Sequence, residues 1–165
     1  VILQALHDAT PRVRVMLLLG SEAGLRRAEI AAVRRSDITA TARTGKLHIT
    51  GKGRRQRIVP LTDRLIAELD MYPAAGAGQW LFPSPRRSGP IGAVRVGELL
   101  SDALPAPWTA HSLRHRFATV AYANSHDLLL VQHLMGHSKP ETTAAYVQLD
   151  TTAARAVVSR GALVA

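Results

Sequence analysis

Two hydrophobic periods alternate along the chain. Behind Thr10-Pro11, Val13, Met16, Leu17 and the neighbouring leucines recur at helical spacing. A threonine hydroxyl can accept an orphan N–H there, and a proline without an N–H loses nothing in a first turn. The pattern predicts a mostly buried helix that Gly24 can end, then a short helix from roughly Arg27 to Val33. The period next drops to two. Ile38 to Ala42, Lys46 to Thr50 and Arg54 to Val59 alternate as three short strands, with turns at Thr44-Gly45 and Gly51-Lys52-Gly53, so a small antiparallel sheet is expected. Helical spacing returns in Leu65, Ile66 and Leu69 behind Thr62, ending near Tyr72-Pro73. It returns again in Val94, Leu99 and Leu100 within Ile91 to Ala103, where Pro105-Ala106-Pro107 stops it.

The last third of the chain is more polar in places and more apolar in others. A helix is predicted from about His111 to Asn124, with Leu113, Phe117 and Val120 on a face that can be buried. Asp127 to Met135 is apolar on several faces through Leu128, Leu129, Leu130, Val131 and Leu134, which marks it as the buried helix, with Gly136 as its cap. Ser138 and Glu141 make a capping-box pattern with Pro140 in the first turn, putting Tyr146 near the end of a short helix. Asp150 to Arg160 is a candidate final helix. Ala74 to Gly78 and Pro83 to Pro90 are loop-like and flank the apolar Trp80-Leu81-Phe82. No internal repeat or low-complexity tract interrupts this order. The expectation is an α+β domain, mainly helical, with one small three-stranded antiparallel sheet, spanning residues 1–165.

Charge narrows the partner. The 165 residues carry 21 Lys and Arg against 12 Asp and Glu, a formal net charge of +9. That excess favours a polyanion, nucleic acid before membrane, because no basic amphipathic helix stands out. The chain has no cysteine, which excludes disulfides and thiolate metal sites. Without a signal peptide or a membrane-length apolar run, the expected location is cytoplasmic. Val1 is not a methionine, and Val1 to Leu6 begins in mid-pattern, so the chain reads as an excised domain.

The candidate chemistry lies mostly between His111 and Tyr146. On a helix His111, Arg114 and His115 share a face, giving a cationic stripe suited to an anionic ligand. Arg26 and Glu29 stand three residues apart, where a solvated ion pair is the ordinary outcome. Lys52 sits between two glycines at a hairpin tip. That segment lacks the first glycine and the Ser or Thr of a Walker-type phosphate loop. His111 with His115, and His133 with His137, have zinc-compatible spacing, but Ser112 stands where a zinc-protease helix has its glutamate, and no metal is expected.

His111-Ser112-Leu113-Arg114-His115, Leu134-Met135-Gly136-His137 and Thr142-Thr143-Ala144-Ala145-Tyr146 together resemble the catalytic domain of tyrosine recombinases of the phage-integrase type. Upstream, Gly24-Leu25-Arg26-Arg27-Ala28-Glu29-Ile30 and Gly51-Lys52-Gly53 through Pro60-Leu61 extend the resemblance over nearly the whole chain. It implies DNA strand breakage and rejoining through a covalent 3′-phosphotyrosine, without metal or ATP. Tyr146 would be the nucleophile, Arg26 and Arg114 the phosphate clamp, and Lys52 the proton donor to the leaving 5′ oxygen. His111 would take the tyrosine proton or bind phosphate, and His137 would donate a hydrogen bond. Glu29 and His115 would support the site. Tyr72 and Tyr122 compete for the nucleophile's part, but only Tyr146 follows the Gly-His motif at the family spacing.

The resemblance also implies double-stranded DNA as partner, a homotetramer in the synaptic complex, and a separate DNA-binding domain ahead of this one. Ser112, often acidic in that family, and Gln148, often histidine, depart from its pattern, as does Ser21-Glu22-Ala23 where small or hydroxyl residues are commoner. A type IB topoisomerase-like transferase and a catalytically silent DNA-binding module are the alternative readings.

Overall fold

The computed structural model describes residues 1–41, 44–51, 56–73, 79–86 and 88–136. Its elements, in order, are α1 (Ile2–Asp8), α2 (Pro11–Ser21), α3 (Arg27–Ala31), a 3-10 turn (Arg35–Asp37), β1 (Ile38–Ala40), β2 (Gly45–Thr50), β3 (Gln56–Leu61), α4 (Asp63–Met71), α5 (Ala93–Ala103), α6 (Ala110–Ser125) and α7 (Leu128–Met135). The strands pair antiparallel in chain order, β1-β2-β3, with Leu47 opposite Val59 and Ile49 opposite Arg57. Thr10 and Thr62 cap α2 and α4 through their hydroxyls, which accept the Val13 and Leu65 amides.

The hub is α2. Met16 to Leu19 are fully buried, and the helix packs against α1, α3, α4, α5 and α6. Burying each such leucine contributes about 1.5–3 kcal/mol, so this stretch anchors the helices that carry the candidate site. Leu113 brings α6 onto α2, its side chain reaching within 3.2 Å of where a Cβ on Gly20 would stand. The sheet adds Leu47, Ile49 and Val59 from its inner face, and Leu81 and Phe82 close the core beneath Val33. A smaller cluster of Ala118, Val131 and Met135, backed by Phe117, joins α6 to α7.

Two expectations about burial are corrected. Asp127 to Met135 is not the buried helix: Leu129 is 73% exposed and Leu130 44%, and only Val131 and Met135 are enclosed. The helix presses against α6 and β3, and no other described helix covers its opposite side. Val120, expected in the core, is 41% exposed, whereas Leu113, two turns earlier on α6, packs against Gly20 of α2. Helix α2 also stops at Ser21 rather than Gly24. Gly24 adopts a left-handed φ of 66° in the turn that follows, and a Cβ there would stand 2.4 Å from the Phe117 ring.

Candidate active site

The positive charges of three separate elements meet around one carboxylate. Arg26 is the residue before the first turn of α3, and Glu29 reaches back to it, accepting from the Arg26 amide at 2.8 Å and from its guanidinium at 3.2 Å. Accepting the helix-start amide is the part a glutamate at the third helical position plays in a capping box, so the three-residue spacing brings the pair together locally, although the arginine side chain cannot return the bond. From the sheet, Arg57 meets the same carboxylate in a two-pronged pair, Nη1 to Oε1 at 2.8 Å and Nη2 to Oε2 at 2.9 Å. From α6, Arg114 Nη1 lies 3.9 Å from Oε2. Three guanidinium charges thus surround one negative charge, and the neighbourhood keeps a positive excess.

The ordinary fate of an ion pair on a short helix is not what is found. The Glu29 side chain is 7% exposed, and only Arg26, at 44%, faces solvent. Burial pushes the Glu29 carboxyl up, but hydrogen bonds from Arg57 and the Arg26 amide, with the charges of both arginines, bring it below the ordinary glutamate value. Glu29→Gln should leave the Arg57 guanidinium buried without a counter-charge and cost about 3–5 kcal/mol, measured by urea denaturation at neutral pH. Because the folded-state value is depressed, the carboxylate's contribution is complete above its ordinary value of 4.5 and is lost as pH falls through the lower folded value. The gap between parent and variant should therefore narrow in acid.

The C-terminal end of α7 receives two of the same arginines. Arg57 Nε donates to the Leu134 carbonyl at 2.9 Å, and Arg114 Nη2 donates to the Met135 carbonyl at 2.6 Å. Carbonyls at a helix C-terminus lack intrahelical partners and carry the negative end of the dipole, so cations belong there. Gly136 ends the helix at a φ of 63°, and a Cβ on it would come within 2.8 Å of Arg57 Nη1. Arg114 also donates to the Gly24 carbonyl, which ties the turn before Arg26 to the middle of α6.

His111, Arg114 and His115 follow one another at helical spacing on α6, but they differ in burial: Arg114 is buried, His111 is exposed and His115 lies between. The two imidazoles meet, Nε2 to Nε2 at 2.7 Å, with rings nearly perpendicular. Burial, then the nearby His111 and Arg114, push the His115 pKa below its usual value, so one neutral ring can accept from the other. Ser112 acts locally, its hydroxyl accepting the Thr109 amide at the start of α6.

Of the residues singled out from sequence, Arg26, Glu29 and Arg114 are brought together, and His111 and His115 form a pair on α6. Lys52, His137 and Tyr146 lie outside the described residues, as do the predicted Ser138–Glu141 cap and the Asp150 to Arg160 helix. Arg57 is the residue that sequence reasoning misses. Its signal is present: it shares strand parity with buried Val59, while Ile58 between them is 45% exposed. Beside Glu29 opens a cleft of about 190 Å³ lined also by Asp37, His48 and Trp80, over whose ring the Arg34 guanidinium sits at 3.8 Å.

The domain is mainly helical with a short antiparallel sheet, and its candidate site gathers arginines from a helix start, a strand and a second helix around Glu29. Residues 1–153 match the phage integrase family model, and the chain belongs to that family. It is 36% identical over 147 residues to the tyrosine recombinase XerC of Xylella fastidiosa, covering 84% of this chain and 49% of that protein. It is 36% identical over 154 residues to XerD of Caulobacter vibrioides, covering 84% and 50%. The chain therefore spans about half the length of these curated relatives.

Among solved structures, the integrase of mycobacterium phage Brujita superposes with a TM-score of 0.68 at 32% identity, over 82% of this chain and 47% of that one. The XerH site-specific recombinase, in a pre-cleavage complex with its difH substrate, shares the fold with a TM-score of 0.75 at 23% identity, over 96% of this chain and 51% of that one. No helix among the described residues is long and apolar enough to cross a membrane.

Proposed function

We propose that this chain is the catalytic domain of a site-specific DNA recombinase that breaks and rejoins strands of double-stranded DNA through a covalent 3′-phosphotyrosine. The observation that carries the reading is the convergence of Arg26 and Arg114 on Glu29, from parts of the chain some ninety residues apart, in a member of the integrase family. Cleaving a phosphodiester requires positive charge on the non-bridging oxygens, a nucleophile, a base for it and an acid for the leaving group. Arg26 offers its guanidinium from the surface. Arg114 supplies a second charge from beneath, where the low dielectric strengthens it.

In the proposed step the Tyr146 oxygen attacks phosphorus as its proton passes to His111, and the bond from phosphorus to the 5′ oxygen breaks. Lys52 protonates the departing oxygen, and His137 donates a hydrogen bond to the phosphate. Glu29 and His115 hold Arg26 and His111 in place. The new ester conserves the energy of the old one, so a 5′-hydroxyl from a second duplex can reverse the step without ATP, and guanidinium, ammonium and imidazole groups supply the charge a metal would. The relatives' name and the substrate-bound XerH complex support DNA as the partner. Strand exchange between two duplexes calls for a homotetramer, and the working location is the cytoplasm, on the nucleoid when bound.

The test is incubation with nicked duplexes carrying candidate attachment sites, followed by mapping of the covalently held strand. Adduct at a 3′ phosphate and exchange between two duplexes support the reading. Relaxation of supercoils without exchange would point to a topoisomerase, and salt-sensitive binding with no adduct to a silent DNA-binding module. Lys52→Ala should slow cleavage of an ordinary strand by about 10²–10⁴-fold, the usual worth of a general acid. A 5′-thio leaving group, which needs no protonation, should restore the rate, and a variant equally slow on both substrates would remove Lys52 from that role.

A further inference from the structure

We propose that Arg57 is a positioning residue for strand transfer: it fixes the Glu29 carboxylate with two parallel hydrogen bonds and grips the end of α7 with a third, so the sheet sets where Arg26 and Arg114 stand. The inference rests on the strand-transfer reading above. From one guanidinium on β3, Arg57 hydrogen-bonds both to Glu29 and to a carbonyl of α7. Its side chain is 6% exposed, so it is built into the interior rather than offered to DNA. The two-pronged geometry leaves the carboxylate no rotational freedom about its axis, and the same two oxygens receive the Arg26 amide and guanidinium. Any turn of the Glu29 carboxylate would therefore move the Arg26 fork. Arg114, bonded to the Met135 carbonyl one residue beyond Leu134, shares the helix end that Arg57 holds. The glycine at 136 keeps space for the Arg57 guanidinium, because a Cβ there would overlap it.

A purely structural ion pair would satisfy some of these contacts, and kinetics separates the two roles. The groups facing Glu29 are Arg26 at its own helix start, Arg57 on β3, Arg114 on α6 and, lining the adjacent cleft, Arg34, Asp37 and His48. Removal of Arg57 takes away the strongest of the interactions that keep Glu29 ionised despite burial.

Nicked duplexes recovered from a randomised pool by covalent capture with the parent protein serve as the probe. Single-turnover cleavage and DNA affinity are measured separately against pH, for Arg57→Lys and for the double variant Arg57→Met with Glu29→Gln. The double variant removes the Arg57 and Glu29 charges together, so neither of that pair is left unpaired, and Arg114 keeps its bonds to the Gly24 and Met135 carbonyls. Arg57→Lys, a point charge in place of a fork, should cleave about 10²-fold more slowly, as a misplaced clamp does. Its affinity should stay within about threefold, because binding is dominated by surface phosphate contacts. The acid limb of its cleavage profile should move to higher pH as Glu29 becomes easier to protonate. In the double variant that limb should disappear while the slow rate persists. Parent-like cleavage by Arg57→Lys, or recovery of the parent rate in the double variant, would overturn the positioning role and leave the strand-transfer reading standing. Failure of the parent itself to capture any duplex would overturn both.

Discussion

Tyr146→Phe should form no covalent adduct on a nicked duplex, a loss of at least about 10⁴-fold, while holding the same DNA as tightly as the parent. The substitution deletes one oxygen and keeps the ring, so any packing that the residue makes survives and only the nucleophile is gone. The described tyrosines offer poor substitutes. Tyr72 packs against Phe82, with ring centroids 5.8 Å apart, and burial raises its pKa above the ordinary phenol value, which makes its oxygen harder to ionise. Tyr122 lies against His126 at the far end of α6, about 12 Å along the helix axis from Arg114. Covalent trapping followed by denaturing electrophoresis reads the outcome directly, and an adduct of undiminished yield would remove Tyr146 from the reaction.

The parts of this site that are legible in the sequence are those in which local order decides geometry. Arg26 and Glu29 are a helix-start pair whose three-residue spacing is itself the instruction to meet, and Thr10, Thr62 and Asp127 mark helix starts in the same way. Strand alternation likewise places the three strands among the described residues, while the expected ends at Ala42 and Arg54 lie outside them. What is not legible is what distant elements do to one another. The exposure of Leu129 and Leu130 depends on which elements lie beside α7, and periodicity within eight residues carries no knowledge of neighbours. Helical geometry alone assigns Arg114 to a cationic face. The two carbonyls that draw it inward, at Gly24 and Met135, belong to a turn and a helix end brought near only by the packing of α2, α6 and α7. Arg57 combines both cases: its inward parity is legible in the strand, but its partners come from α3 and α7.

Arg114→Ala should reduce cleavage by about 10³–10⁵-fold, the scale on which a single arginine stabilises charge in a phosphoryl-transfer transition state. Its buried guanidinium is already oriented by the Gly24 and Met135 carbonyls, so no side-chain ordering remains to be done as charge develops on the phosphate. Alanine also leaves those two carbonyls without their donor, at about 1–3 kcal/mol each where water cannot reach them. Cleavage must therefore be compared well below the melting transition of the variant. Arg114→Lys separates charge from geometry: an ammonium keeps the positive charge but presents one point rather than a planar fork, and it cannot span both carbonyls in the same way. The lysine variant should fold better than the alanine one and yet cleave about 10²–10³-fold more slowly than the parent. If lysine restored the parent rate, charge alone would be sufficient and the fork orientation fixed by Gly24 and Met135 would have no catalytic consequence.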